Sequence, residues 1–274
     1  LTTPPCPPDS GLPATAGKVY LIGAGPGAQD LMTLRGARLL AQADAVLYDA
    51  LVTPEMLQLC SQALLISVGK RAGQRSTAQD LINQQLVENA RKFKLVVRLK
   101  GGDPMLFGRA DEELRALEAA GIEVEIVPGI TTALAAAAAS KQPLTRRGVA
   151  RSVAFFTSST AADHPDHVAI PTTDTLVQYM GGREAMSTAQ RMLDQGRSPD
   201  TPVVIVENCS RHDQRVLRLP LGELAKGLGH SHGPVLVMLG EAMAMREHQS
   251  DSTQNGAQDC AGVSDLLDQL SQHS

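Results

Sequence analysis

Residues 95–99, Leu-Val-Val-Arg-Leu, form a β-rich run that cannot continue past Gly101-Gly102, where two side chains are missing and a ligand can approach the backbone closely. Asp103 follows, held by the rigid φ of Pro104. A strand ending this way presents bare amides and one carboxylate. Turn chemistry alone would also select Gly, Asp and Pro, so the motif gains meaning only from what surrounds it. The pattern recurs along the first half. Run 19–22 ends in Gly23-Ala24-Gly25-Pro26-Gly27, run 45–48 in Asp49, run 64–68 in Gly69-Lys70-Arg71, and run 122–127 in Pro128-Gly129. Between them lie helical stretches: one behind the cap Thr33, a short one opened by Thr53-Pro54, then 77–91 and 110–120, the last closed by Gly121. Strands alternating with helices predict an α/β unit with a mostly parallel sheet. Ligands of such sheets sit beyond the carboxyl ends of the strands, where Gly23, Asp49, Lys70 and Asp103 all fall.

The second half predicts another α/β domain. An Ala-rich helix over 130–140 carries Thr131 and Thr132 in its first turn; strands follow at 152–157, 175–180, 203–206, 215–219 and 235–239, with a helix at 184–195. Residues 163–173, broken by Pro165 and Pro171, read as a loop. The expected organisation is a disordered leader over 1–17, domains over 18–128 and 129–243, and a polar, mostly disordered tail over 244–274.

A chain of 274 residues suits two domains of about 150 residues each. A formal net charge of −4 argues against a nucleic-acid binder working by bulk charge, so an anionic ligand must be met by a local basic cluster. Cys6, Cys60, Cys209 and Cys260 are scattered, without zinc spacing, which fits a reduced cytoplasmic protein with no metal site. The Pro-rich start lacks the basic and apolar regions of a signal peptide, and no apolar run approaches the roughly 18 residues of a membrane span. The Gly23 loop satisfies G-x-G-x-x-A on paper, and Asp49 sits near a ribose-binding position, so a dinucleotide site is a real competitor. Against it, Pro26 removes a loop donor, and several residues separate the glycines from the Thr33 cap, whereas a pyrophosphate site needs the turn to open the helix directly.

Taken together, Gly23-Ala24-Gly25-Pro26-Gly27, Tyr48-Asp49-Ala50-Leu51-Val52, Val68-Gly69-Lys70-Arg71-Ala72-Gly73, the stretch 98–109 and Val127-Pro128-Gly129-Ile130-Thr131 resemble the tetrapyrrole methylases, with Tyr179-Met180-Gly181 and 202–208 extending the likeness. Five ordered motifs are far harder to reach by chance than one glycine loop. The resemblance implies two α/β domains of the tetrapyrrole methylase type with S-adenosylmethionine in the cleft between them, uroporphyrinogen III as substrate, and a homodimer. It implies cofactor contacts from Pro26, Gly101, Gly102, Asp103, Leu106, Thr131, Thr132, Met180 and Cys209. Acid/base roles would fall to Asp49 and Lys70. Substrate contacts would come from Arg109, Glu112 and Arg147, joined by Arg146.

Three departures stand out. The family's usual Gly-His-Leu is Ser158-Ser159-Thr160, its Thr-His-Arg-Asp/Glu is Thr145-Arg146-Arg147-Gly148, and the Gly or Ala more usual after Glu-Asn is Cys209. The alternatives kept open are a methylase of a later corrin intermediate and a non-catalytic paralogue that binds the cofactor. Each residue also has a plainer reading: Asp49 as a strand-end cap, Lys70 as an exposed loop charge, the arginines as solvated surface, and Met180, taken alone, as core.

Overall fold

The computed structural model describes residues 17–69, 79–158, 169–229, 231 and 233–245. Residues 1–16 of the expected leader, 163–168 of the expected loop and 246–274 of the expected tail lie outside the described residues, as do Lys70, Arg71 and Ser159. The chain divides into two compact units between Thr131 and Thr132, three residues beyond the expected boundary.

In the first unit, β1 (Lys18–Gly23), β2 (Ala45–Tyr48), β3 (Leu64–Ser67), β4 (Leu95–Lys100) and β5 (Val124–Val127) form one sheet in the order β3-β2-β4-β1-β5. Every pairing is parallel. Period-two alternation divides the side chains: Ile22, Val46, Val97 and Leu99 join α1 (Leu34–Ala41) and α2 (Pro54–Leu57) on one face. Val19, Leu21, Leu47 and Val96 join α3 (Gln79–Lys92) and α4 (Ala110–Ala119) on the other. Thr33 caps α1 as expected, its hydroxyl accepting from Gly36 N–H at 3.1 Å. Thr53 makes no such bond, and Pro54 at the first helical position starts α2 without it.

This order puts the topological switch point between β1 and β4. The connection from β1 crosses one face through α1 towards β2, while that from β4 crosses the opposite face through α4 towards β5. Such neighbours leave a crevice at their carboxyl ends, where the two glycine loops stand.

The second unit begins with α5 (Thr132–Ala139), followed by β6 (Val153–Thr157), β7 (Thr175–Tyr179), α6 (Gly181–Asp194), β8 (Pro202–Glu207), β9 (Arg215–Pro220), α7 (Leu221–Leu224) and β10 (Val235–Leu239). Its sheet runs β6-β7-β10-β8-β9, and only β6 and β7 are parallel. The completely buried β10 lies between β7 and β8, antiparallel to both. One face packs on α5 and the other on α6 and α7. Helix α6 starts at Gly181 rather than at residue 184, because Met180 turns the chain in the left-handed region and Gly181 lies so close to Val237 that a Cβ would meet Cγ2 at 2.9 Å.

Candidate active site

Three glycine-bearing loops of the first unit converge backbone on backbone. Gly25 and Gly102 exchange both hydrogen bonds, Gly102 N–H to Gly25 O at 2.7 Å and Gly25 N–H to Gly102 O at 3.1 Å, while Ala24 N–H reaches Lys100 O at 2.7 Å. Gly129 closes on both loops: a Cβ there would stand 2.3 Å from Gly102 O and 2.7 Å from Gly23 Cα, so only glycine fits. Gly102 is different. Its φ is +70°, and nothing lies within 4 Å of the position a Cβ would take. The junction is therefore tight on one side and open on the other.

Both oxygens of Asp103 are engaged by backbone. Oδ1 accepts from Met105 N–H at 2.8 Å and Oδ2 from Gly129 N–H at 2.9 Å, which ties the Gly101–Gly102 turn to the segment carrying Thr131. Asp49 Oδ1 accepts from Leu51 N–H at 2.9 Å and Oδ2 from Gly101 N–H at 3.4 Å. Asp49 thus has the capping bond that the plain reading required, and is held against the same loop. Gly69 abuts it, since a Cβ there would meet Ala50 N and the Asp49 carbonyl carbon. Pro26 and Leu106 are half-buried around these loops. Arg109 and Glu112 pair with each other in a bidentate fork, both N–H···O distances 2.7 Å, and this carboxylate raises the guanidinium pKa further.

Beneath the loops lies a cluster that sequence reading missed. Arg98 Nε meets Glu113 Oε1 at 2.9 Å and Lys100 Nζ meets Oε2 at 2.7 Å, with Glu113 fully buried and both cations nearly so. Burial, followed by the Arg98 charge, pushes the Lys100 ammonium below its ordinary range, against the opposing pull of Glu113 and Asp49.

In the second unit, Ala133 N–H donates to Tyr179 Oη at 3.2 Å, joining the start of α5, just after Thr132, to the residue before Met180. Cys209 is buried in the same apolar cluster as Ala133, and burial pushes its thiol up to about 11, a packing residue rather than a reactive one. Met180 is not core: it is 52% exposed. Arg146 and Arg147 are exposed on a tight turn, with Arg146 and Ala150 exchanging backbone bonds at 2.9 and 2.8 Å around Gly148. Ser158, last of the described residues before the substituted histidine position, accepts from Thr188 Oγ1 at 2.9 Å and from Gln178 Nε2 at 3.2 Å.

Backbone strain offers a further marker. Among the described residues, the non-glycines with positive φ are Phe107, Arg109, Lys141, Met180, Asn208 and Ser210. All but Lys141 are nominated residues or lie within two positions of one, and such conformations cost about 1–3 kcal/mol each, persisting where the surroundings enforce them.

The family model described as Tetrapyrrole (Corrin/Porphyrin) Methylases matches residues 18–225. The chain belongs to this family. It is 45% identical over 231 residues to a uroporphyrinogen-III C-methyltransferase of Pseudomonas aeruginosa, covering 82% of this chain and 94% of that one. It is 44% identical over 241 residues to a siroheme synthase of Pseudomonas fluorescens, covering 86% of this chain but 52% of the relative, so it spans about half the length of such relatives. Among solved structures it resembles the uroporphyrin-III C-methyltransferase of Thermus thermophilus complexed with S-adenyl homocysteine, with a TM-score of 0.71, 38% identity, and coverage of 82% and 93%. A cobalt precorrin-4 methyltransferase matches with a TM-score of 0.70 and 28% identity, over 83% of this chain and 96% of the other. Among the described residues no helix is long and apolar enough to cross a membrane, and no group of three or more His, Cys, Asp and Glu could hold a metal ion.

Proposed function

We propose that the chain catalyses the S-adenosylmethionine-dependent C-methylation of uroporphyrinogen III to precorrin-2 by way of precorrin-1, for sirohaem or cobalamin synthesis, as a cytoplasmic homodimer. The observation that carries this reading is the convergence of Gly25, Gly102 and Gly129 at the switch point, with one side of Gly102 open. Support also comes from the 45% identical relative named for this activity.

S-adenosylmethionine supplies, when bound, an electrophilic methyl group on a positively charged sulfur. The residues that would hold it are Pro26, Gly101, Gly102, Leu106 and Thr131 in the first unit, and Thr132, Met180 and Cys209 in the second. Asp103 acts by fixing the Gly101–Gly102 turn against Gly129, and the backbone nearest Cys209 contributes more than its buried thiol. The electron-rich pyrrole carbon needs no strong base to attack, so alignment dominates the catalysis. One ring proton must then leave or move, and the residues proposed to take it up or relay it are Asp49, oriented by Leu51 N–H and Gly101 N–H, and Lys70.

Uroporphyrinogen III carries eight carboxylates. Arg146 and Arg147, exposed on their turn, offer two permanently charged forks to them. Arg109 is already paired with Glu112, so it binds substrate only by sharing or exchanging that partner.

The test is an anaerobic assay with uroporphyrinogen III and methyl-labelled S-adenosylmethionine, with calorimetry for S-adenyl homocysteine and NAD alongside. Label in the macrocycle supports the reading. Label only in a later corrin intermediate, cofactor binding without methyl transfer, or tight NAD binding without response to the methyl donor would each overturn it. Light scattering of the purified chain reads the dimer.

A further inference from the structure

The Arg98–Glu113–Lys100 cluster is an odd thing to bury. Two cations and one carboxylate sit against the apolar packing between the sheet and α3/α4, and replacing such groups with apolar side chains is often neutral or stabilising. Stability alone therefore gives no account of it. Its attachments do. Arg98 and Lys100 occupy alternate positions of β4 on one face, and Lys100 is the last residue before the Gly101–Gly102 turn. The Lys100 carbonyl accepts from Ala24 N–H, which anchors the neighbouring glycine loop. Its side chain runs under the far end of the same loop, its Cε 3.1 Å from where a Cβ on Gly108 would stand, between the positive-φ residues Phe107 and Arg109. Glu113, in the first turn of α4, pulls on this side chain from the helix that the loop leads into. One lysine thus touches the beginning of both glycine loops through its backbone and the end of the second through its side chain.

We propose that Lys100, clamped by Glu113, is a positioning residue that sets the conformation of the 101–109 loop for the methyl donor. The inference rests on the S-adenosylmethionine reading of the preceding subsection. Two substitutions probe it. Lys100→Met keeps the apolar stem and leaves Arg98 and Glu113 as a one-to-one pair; Lys100→Gln keeps a donor for Glu113. Each purified variant is compared with wild type and with Leu117→Ala, a cavity variant on the same face of the sheet, for Tm, affinity for S-adenyl homocysteine, and KM and kcat under anaerobic conditions.

In the Lys100 variants, S-adenyl homocysteine affinity should fall and the methyl-donor KM rise by about tenfold or more, while uroporphyrinogen III KM stays within about twofold. Leu117→Ala should lower Tm at least as much and leave cofactor affinity unchanged. Wild-type cofactor affinity in a folded Lys100 variant would overturn the inference alone. So would equal affinity losses in Leu117→Ala, or failure of both Lys100 variants to fold, since each makes the cluster a fold determinant only. No binding by wild type would overturn the cofactor reading, and this inference with it.

Discussion

Asp103→Ala should separate the tie that shapes the loop proposed to hold the cofactor from the groups proposed to act on substrate. The carboxylate accepts two backbone N–H bonds, from Met105 at 2.8 Å and Gly129 at 2.9 Å. A hydrogen bond to a charged group contributes about 1.5–3 kcal/mol. Met105 is exposed, so water replaces most of that bond; Gly129 N–H is half-buried against the Gly23 and Gly102 backbones, so its loss is felt more fully. The expected destabilisation is about 2–3 kcal/mol, or roughly 5–10 °C in Tm for a chain of this size. Cofactor affinity should drop as well, since the turn and the segment carrying Thr131 are no longer held together. A loss of about 10- to 100-fold for S-adenyl homocysteine is expected. Asp103→Asn keeps one acceptor oxygen for Gly129 N–H and should lie between the two. Asp49→Ala loses one exposed bond and a long contact at 3.4 Å, so its cofactor affinity should stay within about threefold of wild type while turnover collapses. Calorimetry at fixed temperature and differential scanning give both numbers. Equal affinity losses at the two aspartates, or wild-type affinity in Asp103→Ala, would refute the division of labour.

Other substitutions test other parts of the argument. Gly129→Ala should lower Tm sharply because its Cβ meets backbone at 2.3 Å, whereas Gly102→Ala should cost about 1–2 kcal/mol of left-handed strain and yet weaken S-adenyl homocysteine binding by occupying the open side of the turn; the reverse ranking in melts and calorimetry would remove the proposed role of that open side. Arg146→Ala and Arg147→Ala should each raise the uroporphyrinogen III KM with cofactor affinity unchanged, and full activity in the double variant would sink the carboxylate role. Asp174 is held below the usual carboxylate range, first by Arg151 N–H, then by the Ser152 hydroxyl and Ser152 N–H. Its folded pKa is depressed, so its stabilisation is present above the unfolded value of about 3.9 and is lost as pH falls through the folded value. The Tm gap between wild type and Asp174→Asn should accordingly be constant near neutrality and close only in acid; a gap that widened in acid would contradict this. Cys60 and Cys209, both pushed up to about 11 by burial, should resist iodoacetamide at pH 8 until the chain unfolds, as peptide mapping would reveal.

The strands of the first sheet were readable because each is an apolar run stopped by glycine, aspartate or proline, and their parallel direction because helices lie between them; their order, β3-β2-β4-β1-β5, was not. Runs 45–48 and 235–239 match β2 and β10 residue for residue. What the runs do not carry is partner and direction. Nothing in Val235–Leu239 says that it inserts between β7 and β8, antiparallel to both, and that insertion makes the second sheet mixed rather than mostly parallel. The plainer reading of Met180 as core fails for a related reason. A methionine after a strand looks like core, yet its left-handed backbone turns the side chain outward at the start of α6.

The buried charges show most clearly where periodicity alone stops. Arg98 and Lys100 look like surface residues until β4 is known to be the central strand, covered on both faces. Alternation then puts them on the side of Val96, under α3 and α4, where an ion without a counter-charge would be far too costly. The counter-charge had to come from the first turn of α4, and two adjacent glutamates offer themselves there. One residue along a helix is about 100° of rotation, enough to send Glu112 outward to Arg109 and Glu113 inward to Arg98 and Lys100. From the sequence, Glu112 stood out only through the family resemblance, as a substrate contact, and nothing there singled out Glu113. The packing of β4 makes Glu113 the residue that links the helix to Lys100 and so to the 101–109 loop, and a charge swap at that position should be felt at Gly101–Gly102 before it is felt anywhere on the surface.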